Sequence, residues 1–287
     1  MSNYAPPLII TSENQWPDND HNFWPRVQNI IEQGFEENKH KFKSWYPVQR
    51  IPIYNPLFGI VETAYIGEVL QYLKDHNLSI HRDTWLEALR ESVIGHTAET
   101  YDQYTTPLTK EKIPVSSWTV KTAAHIMKFL STFEFYDLRR YERIIELGAG
   151  IGEMARMVHK ANLFEGKYTI VDFPAISKIS KFYNEQNGVD VEIINNINDI
   201  VVENPSKTLI IGTWSINEMP VHQRNDFLKK VAGCDFMMTY SLNILGLQNS
   251  HYFASEFVKI AKTPISHLEF IPYHPFDGGN YYMFCVQ

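Results

Sequence analysis

The amino-acid sequence predicts an α/β fold, in which a mostly parallel sheet ends in an antiparallel hairpin and follows a mainly helical N-terminal region. Three observations predict it. Helix-like stretches separated by proline-marked loops fill the first part of the 287-residue chain, short apolar runs alternate with helix-like segments from residue 119 onward, and two strand-like runs flank the turn sequence PFDGG near the C-terminus. We therefore divide the chain into a helical region, residues 1–118, and an α/β domain, residues 119–287.

The elements follow from hydrophobic periodicity. Apolar residues recur every three or four positions in FWPRVQNIIEQGFEENKHKF and VETAYIGEVLQYLKDH, which indicates helices. From TVKTAAHIMKFLSTF to CDFMMTYSL, the predicted order is helix, strand, helix, strand, helix, strand, strand, helix, strand. Alternating strands and helices indicate right-handed crossovers, which build a parallel sheet covered on both faces. The runs HLEFIPYH and NYYMFCVQ then form the closing hairpin.

Composition and charge narrow the classes of function. The formal net charge of -7 leaves no overall basic field, and no basic patch is present, so we expect no nucleic-acid partner. The N-terminus lacks the features of a signal peptide, and no apolar run approaches the ~20 residues that cross a bilayer. Cys234 and Cys285 are too few and too far apart for a metal site or a disulfide framework. We expect a soluble cytoplasmic protein with no membrane partner, whose cysteines are reduced core residues.

A glycine-rich turn follows the predicted strand RIIEL and precedes a helix. Its glycines, Gly148, Gly150 and Gly152, allow backbone N–H groups to approach a ligand at the carboxyl edge of the sheet. A dinucleotide site requires the pattern G-x-G-x-x-G, but Glu153 occupies the third position. A negative side chain there disfavours NAD and FAD. The spacing E-x-G-x-G-x-G, which begins at Glu146, instead resembles motif I of the class I S-adenosylmethionine (SAM) methyltransferases.

This resemblance implies SAM as cofactor and S-adenosylhomocysteine as product, bound in a Rossmann-like methyltransferase sheet. It also implies that the glycines and Ala149 admit the amino acid part of SAM, while Glu146 orders the loop or contacts the SAM ammonium. Asp172 ends the next apolar strand, YTIVD, twenty residues after Gly152, where a carboxylate can accept hydrogen bonds from both ribose hydroxyls. The alternative role for Asp172 is to cap the following helix.

The resemblance assigns the remaining cofactor residues to the ends of later strands. Asn196 and Ile197 follow the strand VEIIN, where the family holds the adenine ring, and Asp199 is a substitute for the polar contact. The stretch FPAI is similar to plant-type O-methyltransferases and sets Phe173 along the adenine. Thr213, at the end of the fourth strand, completes the set. An ordinary turn is the alternative explanation for the asparagine.

The catalytic residues are expected in IIGTWSINEMPVHQRNDF. Asn217 and Glu218 occupy the place at which plant-type enzymes have a catalytic histidine-aspartate pair, but an asparagine cannot act as a base. Because a neutral hydroxyl is a poor nucleophile, a base must lie within hydrogen-bond reach. Glu218 and His222 are the candidates, with Glu218 preferred and Asn217 orienting the acceptor or the base. Alternatively, Glu218 caps the helix that begins near Pro220, and His222 lies on its solvated face.

The stretches SINEMP and IVDFP also resemble a bacterial family of sugar O-methyltransferases. This implies a small polar acceptor, a sugar or a nucleotide sugar, covered by the helical region. Aromatic and polar residues that suit such an acceptor are His96, Tyr101, Tyr104, Tyr273, His274 and Asp277.

Three alternatives stay open. The protein could methylate nitrogen in an amino sugar or another small molecule, or it could be an inactive binding module with the same fold. A nucleotide-dependent oxidoreductase is less favoured. The sequence HPFD is a weak metal motif, so we predict no required metal. The oligomeric state is open, with a homodimer as one option.

Overall fold

Helices dominate the first part of the chain, as predicted, but a short antiparallel hairpin interrupts them. The structure is a computed structural model that describes all residues except 1–22, 46–57, 77–78, 97–105, 109–112, 245–246 and 272–278. The elements of this part are α1 (Phe23–Asn38), α2 (Phe58–Asp75), α3 (Ser79–Leu89), β1 (Thr106–Leu108) and β2 (Ile113–Val115). The sequence prediction lacks the hairpin because each of its three-residue strands has a central proline, which disfavours a ladder.

A seven-stranded sheet forms the second part, in the order β10-β11-β7-β6-β3-β4-β5. The elements in chain order are α4 (Ser117–Thr132), β3 (Arg143–Leu147), α5 (Glu153–Lys160), β4 (Lys167–Val171), α6 (Pro174–Gln186), β5 (Glu192–Ile194), β6 (Thr208–Thr213), α7 (Ser215–Glu218), α8 (Val221–Lys230), β7 (Asp235–Ser241), β8 (Asn243–Ile244), β9 (Leu247–Gln248), α9 (Asn249–His251), a π-helical turn (Tyr252–Glu256), α10 (Phe257–Ala261), β10 (His267–Ile271) and β11 (Asn280–Cys285). Strands β3 to β7 of this sheet are parallel to one another, β11 runs antiparallel to β7, and β10 runs antiparallel to β11. The predicted α/β fold, a mostly parallel sheet with a C-terminal antiparallel hairpin, is confirmed.

The strand order reverses at β3, which lies between β4 and β6. The connection that follows β3 leads to β4 on one side of it, whereas the connection that follows β6 leads to β7 on the other side. A crevice therefore opens between the carboxyl ends of β3 and β6. Two contacts fix its floor. The Gly148 amide donates to the Val171 carbonyl at 2.9 Å, and the Ser215 hydroxyl donates to the Leu147 carbonyl. The topology thus sets the position of the site.

One hydrophobic core joins the N-terminal helices to the sheet. Ile66 and Trp85, from α2 and α3, belong to the same buried cluster as Met157 of α5 and Phe284 of β11. A second cluster lies on the other face of the sheet, beneath α8 and α10. The apolar residues on one face of α5 and at its end are all buried: Met154, Met157, Val158 and Ala161. The helical part and the sheet part of the chain therefore pack against each other in one hydrophobic core.

Both cysteines are buried free thiols, as predicted for core residues. Burial, together with the nearby charge of Asp235, raises the pKa of the Cys234 thiol and that of the Cys285 thiol to about 12. Across the described ranges, we find no helix with the length and apolar character needed to span a membrane.

Candidate functional site

A cavity of about 330 Å³ lies at the carboxyl ends of the parallel strands. Its lining comes from the loops after β3, β4, β5 and β6, from α7, and from one face of α4. A volume of this size is at the lower end of the range found for small-molecule sites. The cavity occupies the crevice at which open α/β sheets bind ligands.

The glycine-rich turn forms one wall of this cavity. Gly148 and Gly150 have φ values of +71° and +58°, in the left-handed region that favours glycine, and both line the cavity with Ala149 between them. A Cβ on Gly148 would stand 2.4 Å from the Cβ of Ser215. Gly152 differs from the prediction because it does not line the cavity. It packs against α6, where an added Cβ would lie 2.2 Å from the Asn184 amide nitrogen.

Asp172 faces the cavity at the end of β4 and is held by the turn. Its Oδ2 accepts a hydrogen bond from the Gly150 amide at 3.1 Å, and its Oδ1 accepts one from the Phe173 amide at 2.7 Å. Burial raises the pKa of Asp172 to about 7, although these backbone hydrogen bonds oppose the increase. A carboxylate fixed in this way still has lone pairs for a ligand hydroxyl.

Glu146 is a second carboxyl group in the lining, and it is buried. Its Oε2 accepts a hydrogen bond from the Tyr168 hydroxyl at 2.8 Å. Burial raises the pKa of Glu146 to about 8, the Tyr168 hydrogen bond lowers it, and the charge of Asp172 raises it. Because Glu146 belongs to β3, its side chain enters the cavity from a strand of the sheet, whereas the glycines enter from the turn.

Of the residues predicted to hold the adenine, two line the cavity and one does not. Ile197 and Phe173 line the cavity. Phe173 is 42 % exposed, so its ring lies at the mouth of the cavity. Asn196 does not line it. Its side chain instead caps a short 3-10 helix by accepting from the Asn198 amide at 2.9 Å, while the preceding Asn195 lines the cavity. Sequence reasoning missed Asn195 because either asparagine fits the loop.

The structure separates the three predicted catalytic residues. Glu218 lines the cavity, and burial together with the charge of Asp172 raises its pKa to about 7, partly offset by Lys121. Asn217 is fully buried and lies outside the lining, because the single turn of α7 directs it to the protein interior. His222 is exposed on α8, also outside the lining, which agrees with the alternative of a solvated face. Thr213, predicted for the cofactor, does line the cavity.

One face of α4 lines the cavity and is absent from the sequence prediction of the site. Its residues are spaced at i, i+3, i+4 and i+7: Trp118, Lys121, Thr122 and His125. The available signal was that Lys121 and His125 share one face of this helix, four positions apart. Among the lining residues that the structure describes, Lys121 alone is a lysine or arginine, whereas four are carboxylic acids: Glu146, Glu153, Asp172 and Glu218.

Trp214 connects this face to the end of β6. Its backbone is left-handed, with φ of +65°, which is an uncommon and strained conformation for a bulky residue. The indole Nε1 donates to Asn280 Oδ1 at 3.2 Å, and the Lys121 ammonium lies 3.8 Å from the centre of the indole ring. His125 contacts the ring at 5.2 Å between centroids. Several contacts therefore hold a strained aromatic residue in the cavity wall.

The predicted acceptor contacts are mostly outside the described residues, which exclude Tyr101, Tyr104, Tyr273, His274 and Asp277, and with them the weak metal motif HPFD. His96 is described, and it does not line the cavity. Its Nε2 lies 3.3 Å from Glu91 Oε1 in a buried network.

Comparisons with known proteins return similar structures only. No protein-family model matches the chain, and no curated protein matches it. The PH0226 protein of Pyrococcus horikoshii OT3 is 13% identical, with a TM-score of 0.44, over 66% of this chain and 99% of that one. A SAM-dependent methyltransferase of Aquifex aeolicus is 14% identical, with a TM-score of 0.41, over 55% and 87%. The magnesium protoporphyrin IX methyltransferase of Synechocystis PCC 6803, with bound SAM, is 7% identical, with a TM-score of 0.45, over 79% and 97%.

Proposed function

We propose that the protein is a SAM-dependent methyltransferase that acts on a hydroxyl of a small polar acceptor, a sugar or a nucleotide sugar. The observation that carries the proposal is the cavity in which left-handed Gly148 and Gly150 adjoin the carboxylate of Asp172. Because Glu153 is paired with Arg156, the acids that remain among the described lining residues are Glu146, Asp172 and Glu218, against the single lysine Lys121. This excess of acidic groups favours a ligand with positive charge. The sulfonium and ammonium groups of SAM fit that requirement.

The chain offers a residue for each part of the cofactor. Asp172 would bind the ribose hydroxyls, and the turn around Ala149 would accept the amino acid part. Phe173 and Ile197 would contact the adenine, with Asn195 as its polar partner in place of Asn196. When bound, SAM supplies the electrophilic methyl carbon.

The remaining lining suits the acceptor. Glu218 would take the proton of the acceptor hydroxyl, and a pKa near 7 suits a base at neutral pH. Trp118 and Trp214 supply rings for a sugar face. The chain thereby aligns the acceptor oxygen with the methyl group, which is the main requirement of an in-line displacement. We also propose that the helical region, residues 1–118, covers the acceptor side.

Calorimetry with SAM tests the cofactor assignment. We expect Gly150→Asp to abolish SAM binding, because the substitution puts a side chain into the space proposed for the amino acid part of SAM and strains a backbone with φ of +58°. Gly188→Asp is the matched control, since Gly188 also has a left-handed backbone, with φ of +72°, but has open space around it. Normal SAM affinity of the Gly150→Asp variant would contradict the proposed site.

A second candidate function is methyl transfer to an amine. The acidic lining favours a cationic amino sugar as acceptor, and Glu218 would then remove the ammonium proton. Incubation of the protein with SAM and a panel of nucleotide sugars, glycans and amino sugars, followed by mass spectrometry, separates the candidates. Products from neutral sugars support O-transfer, and products from amino sugars alone support N-transfer. Binding of NADH instead of SAM would favour the oxidoreductase alternative, and SAM binding without any product would favour a binding module.

A further inference from the structure

A buried hydroxyl connects two walls of the cavity. The Thr119 Oγ1 of α4 lies 2.5 Å from Glu91 Oε2 and 2.9 Å from Glu153 Oε1, and all three side chains are buried. Glu153 begins α5 directly after the glycine-rich turn, whereas the cavity-lining face of α4 starts one residue before Thr119, at Trp118. The Thr119 hydroxyl has one proton, so it donates to one of these two carboxylates at a time. From this shared position it connects α4, which carries one wall of the cavity, to α5, which follows the glycine-rich turn of the other wall.

The N-terminal region supplies the groups that hold Glu91. The Lys43 ammonium donates to Glu91 Oε1 at 2.6 Å, and the Ser116 amide, at the N-cap of α4, donates to Glu91 Oε2 at 3.0 Å. Burial opposes ionisation of Glu91, but Lys43 and the hydrogen bond to His96 outweigh it, so that the pKa of Glu91 lies well below its ordinary value. Glu91 is thus a buried carboxylate fixed against the start of α4.

Glu153 is held equally firmly on the side of the glycine-rich turn. Arg156 donates to both of its carboxylate oxygens, at 2.9 Å and 2.5 Å, and the Tyr183 hydroxyl of α6 donates to Oε2 at 2.5 Å. Arg156 also donates to the Ala88 carbonyl of α3 at 3.0 Å. In a low-dielectric interior, hydrogen bonds in such a network strengthen one another, so loss of one member affects the others.

We propose that Thr119 is a positioning residue for the cofactor site. Through Glu91 and Glu153 it fixes α4 relative to the start of α5, so that the N-terminal region contributes to SAM binding without contacting SAM. This inference rests on the proposed function, because it takes SAM as the ligand of the cavity.

Three variants on one helix test the inference. Thr119→Val removes the hydroxyl at nearly constant volume, Thr119→Ser keeps it, and Thr132→Val removes a hydroxyl that donates only to the Lys128 carbonyl, at 2.8 Å, away from the cavity. Calorimetry with SAM is performed at a temperature at which all variants are folded. We expect Thr119→Val to weaken SAM affinity by about fivefold or more. Thr119→Ser should restore wild-type affinity, and Thr132→Val should retain it.

Amide hydrogen exchange supplies a second readout. The Ser116 amide donates to Glu91, and the Lys43 amide donates to the Gly95 carbonyl at 3.0 Å. SAM should slow exchange at both amides in the wild type but not in Thr119→Val. If Thr119→Val fails to fold, Tyr183→Phe removes another donor to Glu153 and should also weaken SAM binding.

If Thr119→Val binds SAM with wild-type affinity, the inference is overturned but the proposed function is not. If Thr119→Val does not fold, wild-type affinity in Tyr183→Phe has the same meaning. Failure of the wild type to bind SAM would overturn both the inference and the proposed function. The two failures are therefore distinguishable.

Discussion

At the scale of single residues, the acidic side chains of the cavity determine how ligand binding depends on pH. Burial raises the pKa of Glu146 to about 8 and that of Asp172 and of Glu218 to about 7. The free protein therefore holds protons on these groups near neutral pH, whereas a cationic ligand favours their ionised forms. We expect SAM affinity to rise from about pH 6 to about pH 8, with release of protons on binding.

Calorimetry in buffers of different ionisation enthalpy measures that release. Asp172→Asn should reduce the number of protons released at pH 7, and it should also weaken binding because the ribose loses a charged acceptor. An affinity that is independent of pH, with no protons released, would show that these carboxylic acids do not face the positive charge of the ligand.

Glu218 is the residue on which the proposed chemistry depends. Once an acceptor is known, we expect Glu218→Gln to slow single-turnover transfer at least tenfold, about 1.4 kcal/mol of barrier, because the amide cannot accept the proton. His222→Ala is the matched control and should leave the rate unchanged, since His222 is exposed outside the cavity lining. Equal rates for Glu218→Gln and the wild type would remove Glu218 from the chemical step.

At the scale of elements, the third glycine of the turn serves the packing of α5 against α6. Gly152 has φ of +84°, and an added Cβ would lie 2.2 Å from the Asn184 side chain and 3.1 Å from that of Ser180. We expect Gly152→Ala to lower the free energy of unfolding by about 2–3 kcal/mol, through backbone strain and steric overlap. Urea denaturation measures the loss.

Gly188→Ala separates these two contributions. Gly188 has a similar φ of +72°, but an added Cβ meets nothing within 4 Å. In this control variant, only the backbone strain should lower the free energy of unfolding, by about 1 kcal/mol. Equal losses in the two variants would mean that the contact between α5 and α6 is not tight.

Periodicity predicted the elements well, because a buried face imposes its spacing on the sequence. The strand predicted for RIIEL coincides with β3. The ends of elements were harder, since a cap or a turn decides the direction of each side chain there. Asn196 caps a 3-10 helix and leaves the cavity to Asn195, while the left-handed backbone of Trp214 turns the chain into α7. Neither the Asn196 cap nor the left-handed backbone of Trp214 changes the spacing of apolar residues, so periodicity does not predict them.

At the scale of the whole molecule, the shared core predicts that the chain unfolds as one unit. Ile66 and Trp85 of the N-terminal helices pack in the same cluster as Met157 and Phe284 of the α/β part. We therefore expect a single calorimetric transition whose van't Hoff and calorimetric enthalpies agree. A separate transition for the first 118 residues would contradict this expectation and would support independent folding of that region.

The sequence predicts those features of the molecule whose residues lie close together in the chain. Strand, glycine-rich turn, helix and the acid at Asp172 lie within thirty residues, so their spacing indicates both the crossover and the ligand site. The network around Thr119 instead joins Lys43, Glu91 and Glu153, whose positions in the chain are far apart. One sequence has no periodic signal for such contacts, and only the folded chain reveals them.

The two cysteines have a practical consequence for experiments on this protein. Cys234 and Cys285 are buried, and their pKa values of about 12 keep both thiols protonated at neutral pH. Because thiolates are the species that alkylating reagents attack, the native chain should resist maleimide labelling while it is folded. A single cysteine introduced at the exposed position of Phe173 would then carry a fluorophore at the cavity mouth without removal of either natural thiol.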